Sequence, residues 1–280
     1  MSRKRRIRVR KRNGGTEDFR IDKFRSSLLR SGADPGMVDI VLDEVMEKVG
    51  PRTTTQEIYR LAHARLKRKD DACGMRYTLK RALFRLGPTG YPFEKYIADI
   101  FEEYGYRTKV GITLEGKCVS HEVDVLAVSD SEVIAMECKY HNTRGTTTDV
   151  KVALYVHSRA RDLEPTLTAS YRDRKFSGRL VTNTRCTADA LDYARCAGLD
   201  VLSWRYPEGR GLEEMIESRR LYPVTMIYGI QAGLAQKLIK EDILLLRDLL
   251  ALDSKILQSR LGLPPAKVRT LKKKAQALCG

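Results

Sequence analysis

The sequence predicts a multidomain α/β chain. A mostly helical N-terminal unit with a small β-hairpin precedes a central α/β/α sandwich with a mixed sheet, and an all-α unit closes the chain. Three observations predict this. Gly87-Pro88-Thr89-Gly90 interrupts a helical pattern and marks a boundary. The stretch beyond it reads helix, three strands, helix, strand, helix, strand, the order of a sheet covered by helices. Last, "IYGIQAGLAQKL" and "RLGLPPAKVRTLKKKAQAL" each read as a helix end, a glycine turn and a new helix. The units are 1–88, 89–210 and 211–280.

In the first unit, "RIRVRKRNGGTEDFRI" alternates Ile7, Val9 and Lys11 ahead of Asn13-Gly14-Gly15, a hairpin signal. "DKFRSSLLRSG" spaces Phe24, Leu28 and Leu29 as a helix and stops at Gly32. "MVDIVLDEVMEKV" (37–49) is a second amphipathic helix. "TTTQEIYRLAHARLKRK" (53–69) starts with a threonine cap and places Glu57 three residues beyond Thr54, a capping box. "GMRYTLKRALFRL" (74–86) reads as one further helix.

The central unit opens with "GYPFEKYIADIFEEYGYRT", where Phe93, Tyr96, Ile97, Ile100 and Phe101 form a helical stripe ending at Gly105. Strands are expected at 106–114, 121–129 and 132–140, then a helix at 149–163, a strand at 178–184, a helix at 187–198 and a strand at 199–206. Three charges interrupt the apolar strands: Asp124, Glu137 and Lys139. Alternation points Glu137 and Lys139 to one face and Met136, Cys138 and Tyr140 to the other. A turn at Ser129-Asp130-Ser131 pairs residues whose numbers sum to about 260, placing Asp124 opposite residue 136 and diagonal to Glu137. Two carboxylates at one spot repel unless a cation lies between them, and Mg²⁺ or Mn²⁺ is the economical one. Lys139 beside it would orient a water and steady developing negative charge. A solvated salt-bridge patch is the plainer alternative. Asp149 and Lys151, at the start of the next helix, face either the site or solvent. Cys118-x-x-His121 and Cys138-x-x-His141 have zinc-like spacing, although Cys138 should point into the packing.

Charge is distributed unevenly. The chain carries a formal net charge of +16. Residues 1–88 hold 23 Lys and Arg against 11 Asp and Glu, residues 221–280 hold 10 against 4, and the middle holds 19 against 21. Basic flanks around a neutral centre suit a polyanionic partner, because Lys and Arg displace counterions from phosphate. No apolar run is long enough to span a bilayer and no signal-like stretch opens the chain, so a cytoplasmic location without membrane contact is expected. The six cysteines form no CxxC pair, consistent with reduced thiols.

Three resemblances extend these readings. "VRKRNGGTEDFRIDKFRSSL", with "TTTQEI" one helix later, resembles the ATP-cone, a nucleotide-binding regulatory module of ribonucleotide reductases and their repressors. The resemblance implies ATP or dATP as ligand, phosphates on Lys11, Arg12 and Gly14 with help from Lys23, and ribose or base at Glu17 and Thr55. "YPFEKYIADIFEEYGY", "EVDVLA" and "MECKY" resemble the PD-(D/E)xK restriction endonuclease-like fold, nearest its Mrr-like branch. This implies a metal-dependent DNA endonuclease with Glu94, Asp124, Glu137 and Lys139 as catalytic residues, and metal on Asp124 and Glu137. Residues 225–278 resemble paired helix-hairpin-helix modules. There Gly229, Gly233 and Gly262 would mark the turns, and Lys267, Arg269 and Lys272 would meet duplex or branched DNA, with Lys273 and Lys274 adding charge. A nucleotide-responsive DNA-binding regulator that does not cleave is the alternative, and a cone controlling homo-oligomerisation is a third expectation.

Overall fold

The computed structural model describes residues 8–10, 15–50 and 52–279. Strand β1 (Arg8–Arg10) pairs antiparallel with β2 (Thr16–Asp18), bringing Val9 opposite Glu17. The proposed phosphate turn, with Lys11, Arg12 and Gly14, lies outside the described residues. Helices α1 (Ile21–Arg30), α2 (Pro35–Met46) and α3 (Thr55–Lys69) follow. The capping box at α3 forms as expected: Thr54 Oγ1 accepts the Glu57 amide at 3.1 Å, and Glu57 accepts the Thr54 amide at 2.7 Å. Instead of one helix at 74–86 there are two, α4 (Asp71–Arg76) and α5 (Leu79–Leu83). Asp70 supplies the physical reason for the early start, since its carboxylate accepts the amides of Ala72 and Cys73 and caps α4.

The N-terminal apolar cluster, built from Val9, Phe24, Leu28, Val38, Val41, Ile58 and Leu66, closes at Cys73. From Met75 onward, Leu79 and Leu83 of α5 and then Leu86 are buried in a second, larger core shared with the rest of the chain. The core therefore changes before the chain reaches the Gly-Pro break.

Helix α6 (Tyr91–Glu103) buries Phe93, Tyr96, Ile97, Ile100 and Phe101, the whole predicted stripe. It covers one face of a five-stranded mixed sheet ordered β3-β4-β5-β7-β9. Strands β3 (Arg107–Glu115), β4 (Ser120–Val128) and β5 (Glu132–Lys139) form an antiparallel meander. Two-residue β6 (Thr147–Thr148) leads into α7 (Val150–Ser170) on the opposite face. Then β7 (Lys175–Thr182) joins β5 in parallel; β8 (Arg185–Cys186) pairs with β6, α8 spans Ala188–Ala197, and β9 (Asp200–Leu202) closes the sheet beside β7. Crossovers through α7 and α8 are what make these last pairings parallel.

Helix α7 lies close to the sheet because Gly178 on β7 has no side chain. A β-carbon there would overlap that of Ala160. Gly178→Ala should therefore cost about 1–3 kcal/mol of stability, the usual range for overpacking, with no change in secondary structure. Ala160→Gly in the same chain should return most of the loss, less about 1 kcal/mol for glycine within a helix. Thermal unfolding of the two variants checks this.

The C-terminal part is helical throughout: α9 (Leu212–Arg219), a 3-10 turn (Val224–Met226), α10 (Ala232–Lys240), α11 (Leu246–Ala251), α12 (Ser254–Leu261) and α13 (Pro265–Cys279). It shares the α6 core. Tyr96 Oη donates to the Leu221 carbonyl at 2.7 Å, and buried Thr225 donates to Ala82 at 2.9 Å. Among the described residues no helix is long and apolar enough to cross a membrane.

Candidate active site

Two strands change phase at one level of the sheet. The β3–β4 ladder pairs Val110 with Val125 and Ile112 with Val123, skipping Gly111 and Asp124 between them. Val110 and Val125 pack into the α6 core, whereas Ile112 and Val123 pack beneath α7 with Leu163 and Leu167. Side chains two residues apart on each strand thus lie on opposite faces, so the strict alternation breaks here. Gly111 permits the break: its φ is +61°, in the left-handed region, and open space surrounds the position.

The β4–β5 ladder stops at the same level. Its last pair is Val125 and Met136, so the register is one residue later than the sequence suggested, and continuing it would set Asp124 directly opposite Glu137. Here the Asp124 side chain replaces the missing strand partner. Its Oδ2 accepts the Cys138 amide at 2.7 Å, satisfying a donor that would otherwise lack a partner as the strands part. Cys138 itself points into the α6 core, as alternation requires.

Glu137 points the other way, toward α7, where both its oxygens are engaged. Tyr155 Oη donates to Oε1, and Arg159 Nη1 donates to Oε2 at 2.5 Å. Arg159 Nη1 also donates to the Glu122 carbonyl at 2.9 Å, tying both edges of the split to one guanidinium. Its Cζ stands 4.7 Å from the Tyr155 ring centre. Tyr155 and Arg159 were not foreseen; their i, i+4 spacing, one step from the buried stripe of Ala153, Val156, Ala160 and Leu163, is the only trace in sequence. Asp149 and Lys151 form the exposed first turn, with Asp149 capping α7 through the Val152 amide at 3.3 Å.

The split collects negative charge. Burial pushes Glu94, in the first turn of α6, up to about 7, reinforced by Asp124, Glu122 and Glu137. Burial also raises Asp124 to about 6, with the Glu137 charge adding to it and the Cys138 amide and Arg159 opposing. Both groups hold protons more tightly folded than unfolded. Their contribution to stability is full below about pH 4 and is lost as pH rises through 6 and 7. Asp99, raised to about 7, and Glu217, raised to about 6, act with the same sign elsewhere. The melting temperature should therefore fall from pH 5 to pH 8, and Glu94→Gln should reduce that fall. After solvent screening its share is on the order of 1 kcal/mol.

The donors at the split are all oxygen, the kind that magnesium and manganese prefer. Among the described residues, however, no three His, Cys, Asp or Glu side chains converge as a metal cage requires. The donor types fit a hard divalent cation, while the present arrangement meets the charge with a guanidinium. The zinc-like spacing does not assemble either. His121 Nε2 bonds Asp162 at 2.8 Å, and His141 Nε2 bonds Thr148 at 3.0 Å; Cys118 is exposed and Cys138 buried on the α6 side. Lys139 is exposed at the end of β5, opposite Thr182.

In the N-terminal unit, Glu17, Lys23 and Thr55 come together around a cavity of about 380 Å³ that Arg20, Tyr59 and Arg185 also line. In the C-terminal unit, Gly229 (φ +73°) and Gly262 (φ +59°) make the turns before α10 and α13, whereas Gly233 lies within the first turn of α10. Lys267 and Arg269 are exposed. Lys272 instead donates its ammonium to the carbonyls of Leu250 and Leu252, closing the end of α11. Lys274 is likewise used, on the Tyr228 carbonyl at 2.7 Å.

Residues 222–279 match the family model described as AF1548-like, C-terminal. An uncharacterized protein of Archaeoglobus fulgidus is 32% identical over 184 residues, 66% of this chain and 100% of that protein. The crystal structure of a protein of unknown function, AF1548, superposes with a TM-score of 0.57 at 31% identity, covering 69% of this chain and 99% of that one. Matched along the whole length of that archaeal relative, the chain belongs to the AF1548-like family.

Proposed function

We propose that this protein is a metal-dependent endodeoxyribonuclease whose N-terminal unit binds ATP or dATP and regulates it. The observation that carries the reading is the placement of Asp124 and Glu137 at the level where the β4–β5 ladder ends, near enough to Glu94 to reinforce the rise that burial gives its pKa, on a sheet with a helix on each face. That arrangement and its "EVDVLA" and "MECKY" segments are what resemble the PD-(D/E)xK fold. Magnesium or manganese held by Asp124 and Glu137 would polarise the scissile phosphate and the attacking water. Lys139, exposed on the same face as Glu137, would hold that water and steady charge developing on phosphate oxygen. Glu94, raised to about 7, would exchange a proton near neutral pH and take or give one within the site. The turns at Gly229 and Gly262, with Lys267 and Arg269, would grip the DNA backbone without reading sequence.

The test is direct. Purified full-length chain is incubated with plasmid, linear duplex, branched and single-stranded DNA, with Mg²⁺ or Mn²⁺, and with or without ATP and dATP. New ends should form only with metal, at a rate that nucleotide changes. Intact DNA across the panel overturns the proposal. A second reading, a nucleotide-responsive DNA-binding regulator that does not cleave, is favoured by one observation: Tyr155 and Arg159 already occupy both oxygens of Glu137. Gel-shift binding without cleavage under every condition would select it. Light scattering with and without ATP tests whether the cone controls self-association; an unchanged mass excludes that role.

A further inference from the structure

A second cavity, of about 410 Å³, lies where the N-terminal helices meet the end of the central sheet. That is within the roughly 300–1,000 Å³ of small-molecule sites. Its lining is unusual in charge, with seven basic side chains against two carboxylates. Glu213 is taken by Arg205 and by Arg30, the latter at 3.5 Å, and Glu217 accepts from Tyr222 at 2.8 Å. The remaining excess is positive and partly desolvated. Burial, then Arg205 and Arg185, push Lys80 down to about 8, and burial pushes Arg81 down to about 10. Cations crowded out of water without enough countercharge cost stability unless an anion joins them.

The walls between these cations are aromatic. Tyr59 and Tyr77 stack with centroids 5.1 Å apart, and Lys80 Nζ stands 5.2 Å from the Trp204 ring centre. Trp204 is 2% exposed, yet its indole Nε1 has no hydrogen-bond partner among the described residues. A buried indole N–H normally finds an acceptor, so its lack of one beside an open cavity points to a ligand atom.

We infer that this cavity binds a phosphorylated nucleoside, with phosphate on Arg30, Lys80 and Arg205 and the base among Tyr59, Tyr77 and Trp204. It adjoins the cavity around Lys23, sharing Thr55, Tyr59, Tyr77 and Arg185 with it, but only this one is lined by Arg30, Lys80, Trp204 and Arg205. The wall also includes Arg144, Gly145 and Thr146, in the loop that connects β5 to β6 and α7. A bound ligand therefore touches the segment joining Glu137 and Lys139 to the helix of Tyr155 and Arg159. The inference concerns binding and stands whether or not the chain cleaves DNA.

Trp204 is the only tryptophan of the chain and lines this cavity but not the one around Lys23, so selectively excited tryptophan fluorescence reports on this cavity most directly. The full-length chain is titrated with ATP, with a 5′-phosphorylated oligodeoxynucleotide, and with inorganic tripolyphosphate. A saturable change is expected with ATP or the oligonucleotide, the first identifying a free nucleotide and the second a strand end. Lys80→Met and Arg205→Gln should each weaken it at least tenfold, while Lys23→Ala leaves it within twofold. Circular dichroism confirms folding, and exposed Arg205 carries the test if Lys80→Met unfolds. Three results would overturn the inference: no saturable response to either nucleoside probe, tripolyphosphate binding as tightly as both, or a response lost in Lys23→Ala but kept in the other two variants.

Discussion

Asp124→Asn is expected to reduce metal-dependent DNA cleavage by about 10²–10³-fold while leaving gel-shift affinity unchanged or tighter. The reasoning depends on what the carboxylate does in the fold as well as in the chemistry. Asp124 Oδ2 accepts the Cys138 amide where the β4–β5 ladder ends. Alanine would remove that acceptor and leave a buried N–H unpaired, at about 1–3 kcal/mol. Asparagine keeps an acceptor oxygen and deletes only the charge. Asp124→Ala should therefore lose both cleavage and several degrees of melting temperature, and Asp124→Asn should lose cleavage alone. Lys139→Ala, at an exposed strand end, should lose cleavage without a change in melting. DNA affinity should survive all three, since the proposed DNA contacts, Lys267 and Arg269, lie in the C-terminal helical part. Cleavage that persists in Asp124→Asn would remove this carboxylate from the mechanism.

The sequence revealed the faces of the sheet better than its register. Alternation correctly sent Glu137 toward one side and Cys138 toward the other, because a strand buried on both faces still keeps period 2. It could not reveal the shared phase change at Gly111 and Asp124. That break needs a positive φ on one strand and a lost pair on the next, and only an interior strand glycine hints at it. Likewise, Arg159 looks in sequence like any cation on an amphipathic helix. Its role depends on how α7 crosses the sheet, which Gly178 and Ala160 set by close contact. Basic runs were the least legible. In "KKK" (272–274), Lys272 and Lys274 are spent on carbonyl groups of neighbouring helices, and charge patterning does not distinguish a staple from a DNA contact.

The two halves of the candidate site also explain each other. Gathering Glu94, Glu122, Asp124 and Glu137 around one split would oppose folding through like-charge repulsion. The fold offsets this with one cation from the opposite helix and one tyrosine hydroxyl. Neither donor comes from the strands that carry Glu122, Asp124 and Glu137, so the countercharge can leave without undoing the sheet.

Removing that cation should therefore have a large effect on stability. Arg159→Ala is expected to lower stability by about 2–3 kcal/mol at pH 8 and low salt. A buried pair broken on one side costs about 3–5 kcal/mol, and this pair keeps some solvent, with side chains 25% and 16% exposed. The loss should shrink at pH 5, where Glu94 and Asp124, raised to about 7 and 6, take up protons and the repulsion falls. Glu137→Gln in the Arg159→Ala background should recover much of the loss by deleting the charge left unpaired. Millimolar Mg²⁺ or Mn²⁺ should also raise the melting temperature of Arg159→Ala more than that of the parent chain, because a divalent cation no longer competes with the guanidinium for Glu137. Thermal unfolding across pH and metal concentration measures all four terms. Equal metal-induced shifts in parent and variant would mean that the cation does not bind where Arg159 stands.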